Sequence, residues 1–385
     1  MTSHTATVAI IGGGIVGTAI LHTLAHRGVD AILLEAEADL ALQASGTNSG
    51  ILHTGFDSTP GALETQLILR SAELRPAILD ALGVPVLRCG AVLVPQRAED
   101  RDVIAELAQN AARNGVTVSI RDSDGALLVP GESVTDPVAF TLALGRSAEA
   151  AGARILRDAR VAQIRIGADA LTVITSDHEV AAAVVINSAG LHADAVARLI
   201  GDDSFEIYPR KGEFFVYALP GGETLDEILL PVPTKRTKGV LVFPTLDGRV
   251  IAGPTAYDQS DKDDWSVRPE AGGEVLDKAA AQYPALMGLV PVATYAGLRP
   301  AGVDANYIIG SSAVDARFVN VAAIRSTGLS ASLGIAAYVA ELLAPLGVQL
   351  SEAPAPTRVP APATADSSTE FWWQRTARQR ATLRE

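Results

Sequence analysis

The chain of 385 residues has a single cysteine, Cys89, which excludes an internal disulfide and a cysteine-cluster metal site. It is short of positive charge: 31 lysines and arginines stand against 44 aspartates and glutamates, a formal net charge of −13 at pH 7. That balance argues against nucleic acid or an anionic membrane as a general partner, because an acidic surface is repelled by both. It still admits a small anionic substrate, which feels only its local pocket. No run of about 18 apolar residues stands out as a membrane helix, and the first apolar run is too closely tied to a glycine turn to be a leader. The cytoplasm is therefore the expected compartment, with peripheral attachment to a membrane as the variant. Internal repeats are absent. With 48 % apolar and 19 % charged residues, the chain has material for two lobes with their own cores.

What is there begins at once. Thr7 to Ile11 reads as a short buried strand, and it runs into Gly12-Gly13-Gly14-Ile15-Val16-Gly17. A helix follows, with Val16, Ile20 and Leu24 on one face, and a second apolar run, Ala31 to Leu34, ends on Glu35. This is the G-x-G-x-x-G fingerprint in its required context of strand, turn, helix, strand and acid. Gly12 permits the tight turn, Gly14 lets the backbone approach a pyrophosphate, and Gly17 lets helix and strand pack closely. The helix N-terminus offers unpaired N–H groups and the positive end of its dipole to phosphates. Glu35, 18 residues beyond Gly17, is placed to accept hydrogen bonds from an adenosine ribose.

Further along, helices are expected over Ala62 to Leu82, Ala98 to Asn114 and Ala139 to Ala151, and a strand over Val86 to Pro95. Short β patterns fill Arg154 to Ile166 and Leu171 to Thr175. Val180 to Ile186 reads as a second buried strand, ending in Asn187-Ser188-Ala189-Gly190. From Phe205 to Leu298 alternating runs separated by turn signals such as Asp247-Gly248 indicate an antiparallel sheet, the wall of a substrate site. The nucleotide-binding pattern then resumes with a strand at Phe318 to Ile324, Ser326-Thr327-Gly328 and a helix from Leu329 to Leu343. The expected architecture is α/β: a Rossmann-like lobe (1–85, 145–204 and 296–350) with an inserted antiparallel-sheet, α+β substrate lobe (86–144 and 205–295). A proline–alanine linker and a tail occupy 351–385.

Taken in order, these motifs resemble the FAD-dependent oxidoreductases of the D-amino-acid oxidase superfamily. They are most similar to the branch of glycerol-3-phosphate oxidases and dehydrogenases and L-2-hydroxyglutarate dehydrogenases. The resemblance covers about residues 5 to 345. It rests on the fingerprint with Glu35, on Ser45-Gly46-Thr47-Asn48-Ser49-Gly50-Ile51-Leu52-His53-Thr54-Gly55, and on Val185 to Gly190. Later segments that carry it are Lys238-Gly239-Val240, Gly253-Pro254-Thr255, Ala296 to Pro300 and Ser326 to Ser330. It implies FAD as cofactor, held by Gly12, Gly14, Ile15, Val16 and Gly17, by Glu35 and Ala36, and by Ser45, Gly46, Asn48, Ser49 and Gly50. Val161, Ala189, Gly190, Gly297 and Arg299 follow, then Ser326, Thr327, Gly328 and Leu329. No second G-x-G-x-x-G stands in context, so no NAD(P)H site is evident and electrons come from the organic substrate. A helix beginning near Leu329 would aim its positive end at the flavin and stabilise the reduced ring. Thr47 departs from the hydroxyglutarate enzymes, which tend to have histidine before Asn48-Ser49-Gly50.

Oxidising a secondary alcohol requires a base for the hydroxyl proton while hydride leaves carbon. His53 is the candidate, since an imidazole titrates near working pH. The resemblance places a histidine there beside the flavin; a structural role and a covalent flavin link are its alternatives. Arg299 carries a guanidinium suited to a phosphate or carboxylate, and the resemblance places an anion-binding arginine there; a structural ion pair is its alternative. Lys211, Lys235, Arg236, Lys238 and Arg325 offer a second cationic contact, and Tyr257 and Tyr307 are candidates for the pocket wall. The expected reaction is oxidation of the CH–OH group of a small anionic substrate, sn-glycerol 3-phosphate first, then an L-2-hydroxy acid, then an amine. Oxygen, a quinone or a redox protein would accept the electrons. A flavin-bearing docking protein is the reading from another class.

The tail carries Phe371, Trp372 and Trp373, two of three tryptophans in the chain, with Arg375, Arg378, Arg380 and Arg384. Ser367 and Glu370 suggest a capping box for a short helix. Such rings do not stay solvated, because burying them contributes a few kcal/mol. The tail is expected to dock on its own chain, on a second copy in a homo-oligomer, or on a partner or membrane, with plain disorder as the remaining alternative, and in each case to leave the cofactor site untouched.

Overall fold

The computed structural model describes residues 1–233, 239–352 and 370–382, with the side chains of 379–382 excepted. Its centre is a parallel sheet. The strand Thr2–Ile11 pairs with His178–Asn187 on one side and with Ala31–Leu34 on the other. Arg154–Leu156 continues the sheet beyond Ala31–Leu34, and Phe318–Ala322 continues it beyond His178–Asn187. Val8 to Ile11 and Ala31 to Leu34 are buried without alternation. A parallel strand covered on both faces requires that pattern. In register, Ile11 lies level with both Leu34 and Asn187, and Asn187 with Asn320. The carboxyl ends of four strands therefore open on one edge, where doubly wound sheets form their crevice.

One face of this sheet is covered by the helices Ile15–His26, Leu63–Leu82, Pro137–Ala150 and Gly328–Leu343, which share one apolar core. Gly17 lies at the closest approach: a Cβ there would overlap the Gly12 carbonyl oxygen. One expectation is corrected here. The helix Gly328–Leu343 with its one-turn extension to Leu346 is long and apolar enough to cross a membrane, by length and composition. Its apolar surface is spent on packing against Ile15–His26 and Leu63–Leu82.

The second sheet is built from strands at Ala91–Leu93, Ser119–Ile120 and Leu127–Val129, and from others between Ile207 and Gly302. Its spine is the long antiparallel pair Ile207–Tyr217 and Ala293–Gly302. The pairing is antiparallel throughout except for Ile228–Leu229 beside Ala91 and Val92. The architecture is thus the expected α/β lobe with an inserted, largely antiparallel lobe. Two boundaries fall inside elements. The cut at 144/145 divides the helix Pro137–Ala150, whose Phe140, Ala143 and Leu144 belong to the first core. The cut at 295/296 divides Ala293–Gly302, which hydrogen bonding assigns to the second sheet. The strand expected over Val86 to Pro95 is two strands, Val86–Leu87 and Ala91–Leu93, in different sheets. Between them Gly90 takes a φ of +70°, which turns the chain.

The tail helix, Trp372–Thr382, packs on the body of its own chain. Trp372 is 1 % exposed, among Ile51, Val134, Val138, Phe214 and Tyr295. The tail thus docks on its own chain, the first of the expected alternatives, with Trp372 and Trp373 buried there. They also sit against the glycine-rich loop expected to hold the cofactor, because Trp372 Nε1 donates to the Asn48 carbonyl at 3.1 Å. Glu370 pairs with Arg378 at 2.8 Å, while Ser367 and the linker 353–369 lie outside the described residues.

Candidate active site

An elongated cavity of about 950 Å³ opens along the carboxyl edge of the parallel sheet and runs under the second sheet. At one end lie Glu35, Ala36, Ala159 and Val161; the middle is the turn Gly12 to Val16 with Ser188 to Gly190. At the other end Ser326 to Leu329 meet His53, Gly297, Leu298 and Arg299. The helices Ile15–His26 and Gly328–Leu343 both begin at this cavity, and neither has an acidic residue in its first turn. Their positive ends are therefore not neutralised from within. A long cavity with two such ends, and a carboxylate where a ribose would lie, fits an extended dinucleotide.

Glu35 is held ready rather than free. Its carboxylate accepts from Gly13 N at 2.5 Å and from Glu37 N at 2.9 Å. Burial raises its pKa, and these amide bonds partly offset the rise. Gly12 has a φ of +107°, and a Cβ there would collide with the Ser188 carbonyl, so only glycine makes this turn. Ser45 donates nothing to the turn but accepts from Ile15 N at 2.9 Å, tying the loop 44–49 to the fingerprint helix.

Of the residues expected to hold the cofactor, three do not reach the cavity. Gly17 packs helix on strand, while Gly46 and Gly50 back the loop, pressed against the carbonyls of Ala41 and Thr135. Tyr257 is corrected as well. It is 47 % exposed on a short edge strand, beneath the Arg268 guanidinium 4.6 Å from its ring centre, and does not line the cavity. Tyr307 is buried behind the wall, its hydroxyl 2.7 Å from Thr327 Oγ1. Lys211 is buried and pairs with Asp264 at 2.8 Å. Lys235, Arg236 and Lys238 lie outside the described residues.

His53 is fixed at three points. Its N–H donates to Ser330 Oγ at 2.8 Å, its carbonyl accepts from Arg75 Nη2 at 2.9 Å, and its Nδ1 lies 2.9 Å from Glu132 Oε2. Glu132 is fully buried, and its other oxygen accepts from the Thr54 N–H and hydroxyl at 2.7 and 2.9 Å. An ionised carboxylate only accepts, so Nδ1 carries the proton and Nε2 becomes the accepting nitrogen of the ring. Arg75 is buried nearby, its pKa lowered to about 10 by burial against the opposing pull of Glu132. Glu132 and Arg75 went unread in the sequence. Pro130-Gly131-Glu132 looks like an ordinary turn, and no local pattern connects it to a histidine 79 positions away.

Across the same cavity Arg299 donates to three main-chain carbonyls: Arg210 at 3.0 Å, Lys211 at 3.0 Å and Thr255 at 2.9 Å. Among the described residues it has no carboxylate partner within hydrogen-bond reach. Burial lowers its pKa to about 10, and the positive charges of Arg210 and Arg325 push the same way. Arg210 is matched by Asp258 at 3.0 Å. Arg325 is exposed at the cavity, and among the described residues it forms no ion pair.

Residues 7–342 match the model of the DAO family, FAD dependent oxidoreductases. A glycerol 3-phosphate dehydrogenase of Caloramator mitchellensis is 30 % identical over 352 residues, 87 % of this chain and 73 % of that one. An L-2-hydroxyglutarate dehydrogenase of Escherichia coli K12 is 28 % identical over 265 residues, 64 % of this chain and 63 % of its own. Among solved structures, the dithionite-reduced L-α-glycerophosphate oxidase of Mycoplasma pneumoniae with FAD bound superposes with a TM-score of 0.85. It is 26 % identical, covering 93 % of this chain and all of that one.

Proposed function

Because the chain belongs to the DAO family of FAD-dependent oxidoreductases, we propose that it oxidises the CH–OH group of a small anionic substrate. The best reading is sn-glycerol 3-phosphate, converted to dihydroxyacetone phosphate. The observation that carries this is Arg299: an enclosed guanidinium on the wall of the cavity that also holds His53, bonded among the described residues only to neutral carbonyls. An unmatched positive charge there favours an anion, and Arg325 at the rim adds a second. The similarity to proteins named for glycerol 3-phosphate supports a phosphate as that anion.

When bound, FAD supplies the two-electron acceptor for the hydride that leaves the substrate carbon. Glu35 and the turn at Gly12 to Val16 would hold its adenosine and pyrophosphate; loop 44–49 and the start of the helix at Gly328 would hold its flavin end. His53 accepts the hydroxyl proton at Nε2, so hydride and proton leave together and a ketone remains. Glu132 keeps the Nδ1 proton in place and stabilises the imidazolium that forms. Arg299 anchors the phosphate and so fixes which carbon faces the reacting end. Oxygen, a quinone or a redox protein would take up the electrons.

Similarity to an L-2-hydroxyglutarate dehydrogenase supports a second substrate class, since a carboxylate suits Arg299 equally well. Anaerobic mixing of the purified yellow protein with polyol phosphates, 2-hydroxy acids and amino acids distinguishes them by bleaching of the flavin. Bleaching by sn-glycerol 3-phosphate well ahead of the others supports the proposal. Bleaching by amino acids alone, or by nothing in the panel, overturns it.

A further inference from the structure

The tail helix lies outside the segment matched by the family, 7–342, and no step of the proposed chemistry uses it. It nonetheless makes two enclosed hydrogen bonds to the main chain of one loop. The Thr376 hydroxyl donates to the Gly46 carbonyl at 2.7 Å, and Trp372 Nε1 to the Asn48 carbonyl at 3.1 Å. Both side chains are almost wholly buried, at 3 % and 1 % exposure. Two further contacts hold the helix on the body: Arg375 to Asp39 at 3.0 Å and Trp373 Nε1 to Asp247 at 3.2 Å.

The loop so held carries Thr47, Asn48 and Ser49 on the cavity wall. A trans peptide unit is planar, with its C=O and N–H pointing in opposite directions. Turning the Gly46 and Asn48 carbonyls toward the helix therefore turns the Thr47 and Ser49 N–H groups away from it. Among the described residues neither N–H has a hydrogen-bond partner. Two unpaired donors on a cavity wall need an acceptor, and FAD is rich in carbonyl and phosphate oxygens. We propose that Trp372 and Thr376 are positioning residues for the cofactor. From behind the loop they fix the peptides 46–47 and 48–49 in the orientation that presents the two N–H groups to FAD.

The test uses the full chain and reads FAD affinity rather than turnover, so its outcome does not depend on the substrate. Apoprotein is titrated with FAD by flavin fluorescence, and the melting temperatures of apo and FAD-loaded protein are compared. Thr376→Val keeps shape and removes the donor; FAD should bind about 5- to 30-fold more weakly, the usual effect of one buried carbonyl left unpaired. The loaded form should lose more melting temperature than the apo form, and Thr376→Ser should restore the affinity. Trp372→Phe keeps a ring but no donor and should also weaken FAD. The proposal is overturned if Thr376→Val and Trp372→Phe bind FAD within about twofold of wild type. It is equally overturned if Thr376→Ser fails to restore affinity lost in Thr376→Val, since the helix is then only packing.

Discussion

Replacing Glu132 by glutamine turns one carboxylate oxygen into an NH₂ group with almost no change in volume. The glutamine carbonyl can keep both Thr54 bonds, now 2.7 and 2.9 Å long. Its amide nitrogen then takes the place of the oxygen 2.9 Å from His53 Nδ1. Donor faces donor unless the imidazole shifts its proton to Nε2. In that tautomer Nε2 has no lone pair for the proton of the substrate, and in the other the ring is no longer held. Either way the base is lost while the cavity stays intact, because Glu132 itself does not line it. A positioned general base contributes about 10²–10⁴-fold, so flavin reduction should slow by that factor. That corresponds to roughly 3–5 kcal/mol on the barrier.

The assay is stopped-flow anaerobic mixing at saturating substrate, following flavin absorbance, with the substrate dissociation constant taken from the concentration dependence. That constant should change little, since Arg299 is untouched, and FAD content should match wild type. A reduction rate within about fivefold of wild type, far below the usual share of a general base, would refute the dyad as the proton-accepting unit. A full rate loss accompanied by loss of FAD would instead show that Glu132 supports the fold of the loop at His53.

Arg299→Lys should raise the substrate dissociation constant by about 10- to 100-fold, because a point charge cannot replace a fork. The limiting reduction rate should change less, and unchanged binding of an anionic substrate would place the anion site elsewhere. Glu35→Ala should weaken FAD by about 1–3 kcal/mol, the cost of leaving buried ribose partners unpaired, read by titrating apoprotein. An unaltered dissociation constant would remove Glu35 from the ribose site. His22 offers a pH test: burial first, and then the adjacent His26, lower its pKa from 6.5 to about 3. Above pH 6.5 neither folded nor unfolded chain is protonated there. Between pH 6.5 and 3 only the unfolded chain takes the proton, so stability falls as pH falls, by about 2 kcal/mol at pH 5. His22→Leu should flatten the fall in melting temperature between pH 7 and pH 5, and superimposable curves would exclude His22 as its source.

The parts of the fold that were legible are those whose burial is decided locally. Ala31–Leu34 is observed with the bounds expected, because four consecutive apolar residues between turn signals suit only a strand covered on both faces. The helix from Gly328 was legible for the same reason, although its apolarity reaches the length of a membrane span. The lobe boundaries were not legible. Phe140 and Leu144 look alike whichever core they enter, and hydrogen bonding to Ile207–Tyr217, not composition, assigns Ala293–Gly302. Tyr257 failed for a related reason: a two-residue edge strand has no periodicity to show which face it turns inward.

The same division runs through the site. His53 and Arg299 stand out in the sequence because each sits in a motif whose backbone is locally constrained. Their partners arrive from elsewhere in the chain: Glu132 beside the imidazole, and the carbonyls of Arg210, Lys211 and Thr255 around the guanidinium. The tail is the extreme case. Its composition required burial of Trp372 and Trp373, and both are buried, yet composition carries no address. The address is set by hydrogen bonding: an indole N–H and a threonine hydroxyl need acceptors once enclosed. The loop 46–48 has carbonyls to give because its N–H groups turn the other way. Loop and helix thus satisfy each other's unpaired groups, and the Thr47 and Ser49 N–H groups, turned away from the helix, are left for the acceptor that FAD is proposed to supply.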